Sequence, residues 1–119
     1  MTERPAAFAT IAAHARRTNL ARARNIAAAF ETAATGGLDR AGWSAAERAA
    51  HQLAGSAGTF GFSGVSERAL VLEHFLHDVI TSGAVTSGTI PPERLAQARA
   101  WLAELTDQLA GEPDTDCGG

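Results

Sequence analysis

The chain has 119 residues, the size of one compact domain, and a formal net charge of −3. That acidic balance disfavours nucleic acid as a partner, and no stretch approaches the roughly 20 apolar residues of a membrane span, so a soluble cytoplasmic protein is expected. A single cysteine, Cys117, offers neither a disulfide framework nor metal-type spacing, while abundant Ala, Leu, Arg and Glu with no Tyr is helix-forming chemistry.

In chain order, Pro5 suits a first helical turn, and Phe8, Ile11, Ala12 and Ala15 follow at helical spacing. This Ala-rich, Arg-containing start resembles a transit peptide in composition only, and reads as part of the fold. Leu20, Ala23, Ala27 and Phe30 continue with the stripe rotated, and Asn19 falls on the apolar side. A kink or break near Thr18-Asn19 is therefore expected, which would make the first piece an additional N-terminal helix. Arg16, Arg17, Arg22 and Arg24 read as a solvated face. Gly36-Gly37 ends the region. After Trp43, expected to pack on the helix start, Ser44-Ala45-Ala46-Glu47 has the form of a capping box. It predicts a helix to about Phe60, where Gly61 and Gly64 loosen the chain. Ser63 or Ser66 is the expected cap of a third helix reaching about Ile80, with Val65, Ala69, Leu72, Leu76 and Val79 as its stripe. Residues 81–89, rich in Ser, Gly and Thr, read as a loop. Pro91-Pro92-Glu93 opens a last helix whose seam is Leu95, Ala98, Leu102, Leu105 and Leu109; Gly111 closes it. Trp101 flanks that seam and is expected to close the bundle. The expected architecture is all-α: an antiparallel four-helix bundle with an additional N-terminal helix, over a single domain 1–111, followed by a disordered tail 112–119.

The second of these helices carries the chemistry. At about 100° per residue, Ala46, Ala50, Leu53, Ala57 and Phe60 form one stripe, and His51 projects about 160° from Leu53. Gly55 and Gly58, four and seven residues on, share the histidine's side with Glu47 and Arg48. A glycine inside a helix loses roughly 1 kcal/mol relative to Ala, which this chain uses freely elsewhere. Bare backbone beside an imidazole leaves room for another molecule to approach closely. The alternative, that the glycines admit a neighbouring helix, is less favoured because they share a face with His51 rather than Leu53.

The run His51-Gln-Leu-Ala-Gly55-Ser-Ala-Gly58-Thr-Phe-Gly61 resembles the signature of the histidine phosphotransfer (HPt) domain family. The resemblance implies a helical bundle whose exposed histidine carries a phosphoryl group between response-regulator receiver domains. By that likeness His51 is the phosphoacceptor, and Gly55 and Gly58 let partner and phosphoryl group approach. The family commonly has Lys three residues after the histidine, where this chain has Ala54. An exposed ion pair is worth roughly 0 to 1 kcal/mol, so the loss is expected to tune transfer rather than abolish it. Arg48, one turn before His51, is the nearest compensating cation, and Gln52 offers an amide donor at the edge of the site.

A neutral imidazole nitrogen is a competent nucleophile near pH 7, where histidine's ordinary pKa of about 6.5 leaves most of it uncharged. It would attack an aspartyl phosphate in line, through a loose transition state in which positioning and charge neutralisation supply most of the catalysis. No carboxylate cluster able to hold Mg²⁺ is evident, and the resemblance implies that the receiver partner supplies the metal while this chain binds no cofactor. No glycine-rich nucleotide loop of P-loop type occurs, so the expectation is a phosphoryl carrier and not a kinase. The expected partners are receiver domains and a hybrid sensor kinase, with the chain itself a monomer. The rival reading is a degenerate module that binds a receiver or kinase without carrying phosphate. His74 and His77, three apart, permit metal coordination but lack a third ligand and read as surface residues, as does His14.

Overall fold

A computed structural model describes residues 4–83 and 90–111, with side chains from residue 9 onward. Four helices make up this part: α1 (Arg4–Ala34), α2 (Arg40–Thr59), α3 (Ser63–Thr81) and α4 (Pro92–Ala110). The side chain of Phe8, most of the predicted 81–89 loop and the predicted tail 112–119 lie outside the described residues.

Side-chain pairs between the helices establish an antiparallel ring. Phe30 meets Trp43 between α1 and α2, with ring centroids 6.4 Å apart. His51 and His77 reach Glu73 and Glu47 between α2 and α3. Arg68 pairs with Glu104 between α3 and α4, and Arg99 with Glu31 closes the ring back to α1. Each helix therefore packs on two neighbours around one core. Fully buried Ile26, Phe30, Leu53, Leu72, Leu76, Leu105 and Leu109 fill its centre, with small residues such as Ala23, Ala50, Ala57 and Ala69 letting the helices approach closely.

Three expectations about α1 need correction. It is one continuous helix, so among the described residues no additional N-terminal helix stands as a separate element. Asn19 is indeed buried, but its amide donates to Ser56 Oγ at 3.1 Å and its carbonyl accepts from Arg22 Nη1 at 2.8 Å, so its polar atoms are satisfied without breaking the helix. The stripe runs through Ala23, Ile26 and Phe30, leaving Ala27 and Ile11 exposed. The arginine run also divides. Arg17 and Arg24 are solvated, whereas Arg16 donates to the carbonyls of Leu109, Ala110 and Gly111 at 2.7, 2.6 and 2.8 Å. Those are carbonyls that α4 leaves unpaired at its C-terminus, where a cation is favoured.

Helix starts moved as well. Asp39, not Ser44, caps α2: its side chain accepts from the Gly42 amide at 2.8 Å, which places the helix start five residues earlier. Leu38 and Trp43 then occupy the flanking positions of a hydrophobic staple, and Trp43 is buried in the core. Neither Ser63 nor Ser66 caps α3, which begins after Phe62 without a side-chain cap; Ser66 Oγ donates instead to the Ala54 carbonyl of α2 at 2.8 Å. Gly61 does more than loosen the chain. Its φ of +89° turns the backbone so that the Phe62 amide reaches Ala57 O at 2.9 Å, ending α2 in a Schellman motif. That three-residue turn sets the register of α2 on α3. The final helix matches its predicted seam, with Ala98, Leu102, Leu105 and Leu109 buried and Leu95 half-buried.

Candidate functional site

Burial of Ala50, Leu53 and Ala57 fixes the rotation of α2 and turns His51 outward, its side chain 71% exposed. Exposure does not leave the ring loose. Nδ1 lies 2.9 Å from Glu73 Oε2 of α3, and since an ionised carboxylate only accepts, Nδ1 carries the proton and donates it. The lone pair is thereby assigned to Nε2, and the ring is held in one orientation against a half-buried carboxylate.

Arg48, Gln52 and Gly55 lie exposed on the same outer side of α2. Arg48 forms no ion pair among the described residues. A Cβ added at Gly55 would meet nothing within 4 Å, so the fold makes no demand for glycine there. Gly58 differs. It is exposed, but its Cα faces α3, and a Cβ would come within 3.3 Å of Ser66 Oγ, tight against a hydroxyl already committed to Ala54 O. The helix-contact reading set aside for both glycines thus describes Gly58, while Gly55 remains open. Ala54 is only 5% exposed, so its side chain belongs to the α2–α3 seam and not to an approach surface.

Two groups escaped sequence reasoning. One is Glu73. The other is a second pair, in which the Nδ1–H of His77 donates to Glu47 Oε2 at 3.1 Å; Glu47 has no role at the start of α2. A usable signal existed. His51 and Glu73, Glu47 and His77, and Gly58 and Ser66 are each equidistant from Phe62, the centre of the turn joining α2 to α3. Once a tight αα-hairpin is centred there, the residue opposite His51 follows.

The site is a projecting imidazole held by Glu73 and bordered by the bare backbone of Gly55. Among the described residues no group of three or more His, Cys, Asp or Glu is placed to hold a metal ion, and no helix is long and apolar enough to cross a membrane. A cavity of about 350 Å³ lies at the Trp43 end of α2 and does not include His51. Compared with known families, residues 14–111 match the model of the Hpt domain. No curated protein and no solved structure matches the chain significantly.

Proposed function

The chain belongs to the Hpt domain family, whose members act in histidine phosphotransfer within phosphorelay signalling, and on that premise we propose that His51 is its phosphoryl carrier. Hpt domains are phosphotransfer intermediates and not kinases, and the family implies interaction with response-regulator receiver domains and kinases. The observation that carries the reading is the Glu73–His51 hydrogen bond on an otherwise exposed ring beside Gly55.

In the forward step Nε2 attacks the phosphorus of a receiver's aspartyl phosphate. The Nε2–P bond forms as the P–O bond breaks, and the aspartate leaves as a free carboxylate. Positive charge develops on the ring, and the Nδ1 proton stays between the ring and Glu73, whose carboxylate stabilises that charge. Donation to a second receiver is the reverse of the same exchange. A loose transition state asks little covalent chemistry of the protein, so a rigid nucleophile and an unobstructed approach suffice on this side. Mg²⁺ and the acidic pocket are contributed by the receiver, and this chain adds no cofactor. Arg48 and Gln52 border the approach, and the setting is cytoplasmic.

The test is phosphoryl transfer from a panel of phosphorylated receiver domains to this protein and to its His51→Gln variant. Label that is acid-labile, alkali-stable and lost in the variant is the expected outcome. Tight receiver binding by the intact protein without any labelling would replace the carrier reading by that of a degenerate binding module.

A further inference from the structure

The two histidine–carboxylate pairs across the α2–α3 seam run in opposite senses. Glu47 and His51 stand one turn apart on α2, Glu73 and His77 one turn apart on α3, and the bonds of 2.9 and 3.1 Å link each histidine to the other helix's glutamate. The result is a patch of alternating sign. A phosphoryl group on Nε2 of His51 brings an added charge of roughly −1.5 to −2 beside two carboxylates that are already there. Ala54 supplies nothing to offset it.

The charged groups surrounding His77 are few. From α2 they are Glu47, Arg48 and His51, and on its own helix Glu73, His74 and Asp78. On the other flank of α3, α4 offers Arg94, which lines a groove with His74 and Asp78 and lies over the Phe75 ring. Arg48 is already cationic at any working pH, and its side chain is untethered. His77 is held in the patch by Glu47, stands one turn from Glu73, and leaves its Nε2 free to take a proton.

We propose that His77 is the electrostatic counterpart of the phosphoryl group, taking up a proton from solvent when His51 is loaded and so stabilising the loaded state. The proposal rests on the carrier reading of His51. His77 exchanges no bond with phosphorus: Nδ1–H stays on Glu47, Nε2 gains the proton, and the imidazolium lies between two carboxylates and the new dianion. It is a positioning residue whose instrument is charge. One turn along α3 from the carboxylate that holds His51, in a solvated, salt-screened patch, one positive charge shifts the loading equilibrium by roughly three- to tenfold.

The experiment uses the full chain and potassium phosphoramidate, which transfers its phosphoryl group to an imidazole and releases ammonia. The loaded fraction is read by ³¹P NMR at fixed phosphoramidate and ammonium concentrations, at pH 6 and pH 8, with the site located by mass mapping and His51→Gln as background. Ratios between variants cancel the pH dependence of the donor and of His51. His77→Gln is expected to lower the loading constant at pH 6 by roughly three- to tenfold and much less at pH 8, because an imidazole is charged mainly at the lower pH. His77→Arg should match or exceed the parent at both pH values. A His77→Gln protein that loads like the parent at both pH values overturns the proposal. So does a His77→Arg protein that behaves like His77→Gln, since packing would then be the cause, or a loss that follows Arg48→Gln alone. A parent protein with no more label than His51→Gln would instead remove the carrier reading, and this inference with it.

Discussion

Gly55 offers the sharpest separation of stability from function. It lies inside α2 with helical backbone, is exposed, and a Cβ there would meet nothing within 4 Å. Gly55→Ala therefore introduces no clash and recovers the helix propensity that glycine forfeits, about 1 kcal/mol. For a domain of this size that corresponds to a rise in Tm of ~4 °C. Chemical denaturation should give the same gain as a higher midpoint at unchanged slope. The added methyl also stands one turn from His51, on the side from which a partner must come, so transfer from a phosphorylated receiver should slow by roughly tenfold, the equivalent of about 1.4 kcal/mol in the transition state. Circular-dichroism melts and single-turnover transfer assays on one preparation measure both. A variant that is less stable than the parent would show that the space beside Gly55 is not open. One that is more stable and transfers at the parental rate would refute the argument that bare backbone there serves partner approach.

Other substitutions probe the remaining parts. Gly58→Ala should gain less than Gly55→Ala or lose stability outright, and a Gly58→Ala/Ser66→Ala double variant should recover part of the difference, since the 3.3 Å contact is with the Ser66 hydroxyl; equal melting temperatures for the two single variants would contradict this. Glu73→Gln keeps a hydrogen-bond acceptor near Nδ1 but removes the charge, and is expected to reduce the transfer rate about tenfold while ¹⁵N NMR of the imidazole reports a weaker preference for the Nδ1–H form; an unchanged tautomer population would count against the positioning role. Arg16→Ala strips the partner from three carbonyls at the end of α4 and should destabilise by about 1–3 kcal/mol in urea melts; a change below about 0.5 kcal/mol would make it an ordinary surface arginine. Asn19→Ala leaves Ser56 without its α1 donor and should lose about 1–3 kcal/mol; near-parental stability would mean that water replaces the amide without loss.

What sequence alone determined was local and periodic. The outward projection of His51 follows from 100° per residue and from the burial of Ala50, Leu53 and Ala57 on the opposite face, and both can be counted along a single strand of text. The α4 seam and the glycine beside the histidine were legible on the same grounds. What required the tertiary structure were contacts between residues distant in the chain. Asn19 reads as a break in α1 because one of its partners, Ser56, lies on α2, which the periodicity of α1 does not address. Ser44 has the form of a cap, but Asp39 takes that place, with Leu38 and Trp43 on either side of it packed against the core. Gly55 and Gly58 share the side of His51 by helical angle, yet one faces open space and the other faces Ser66. Glu73 was an unremarked acid on a distant helix until the turn at Phe62 set it against His51. A helix's faces are dictated by its own residues, whereas the group that completes each face is supplied by the register of its neighbour, and that register is decided only when the whole core packs.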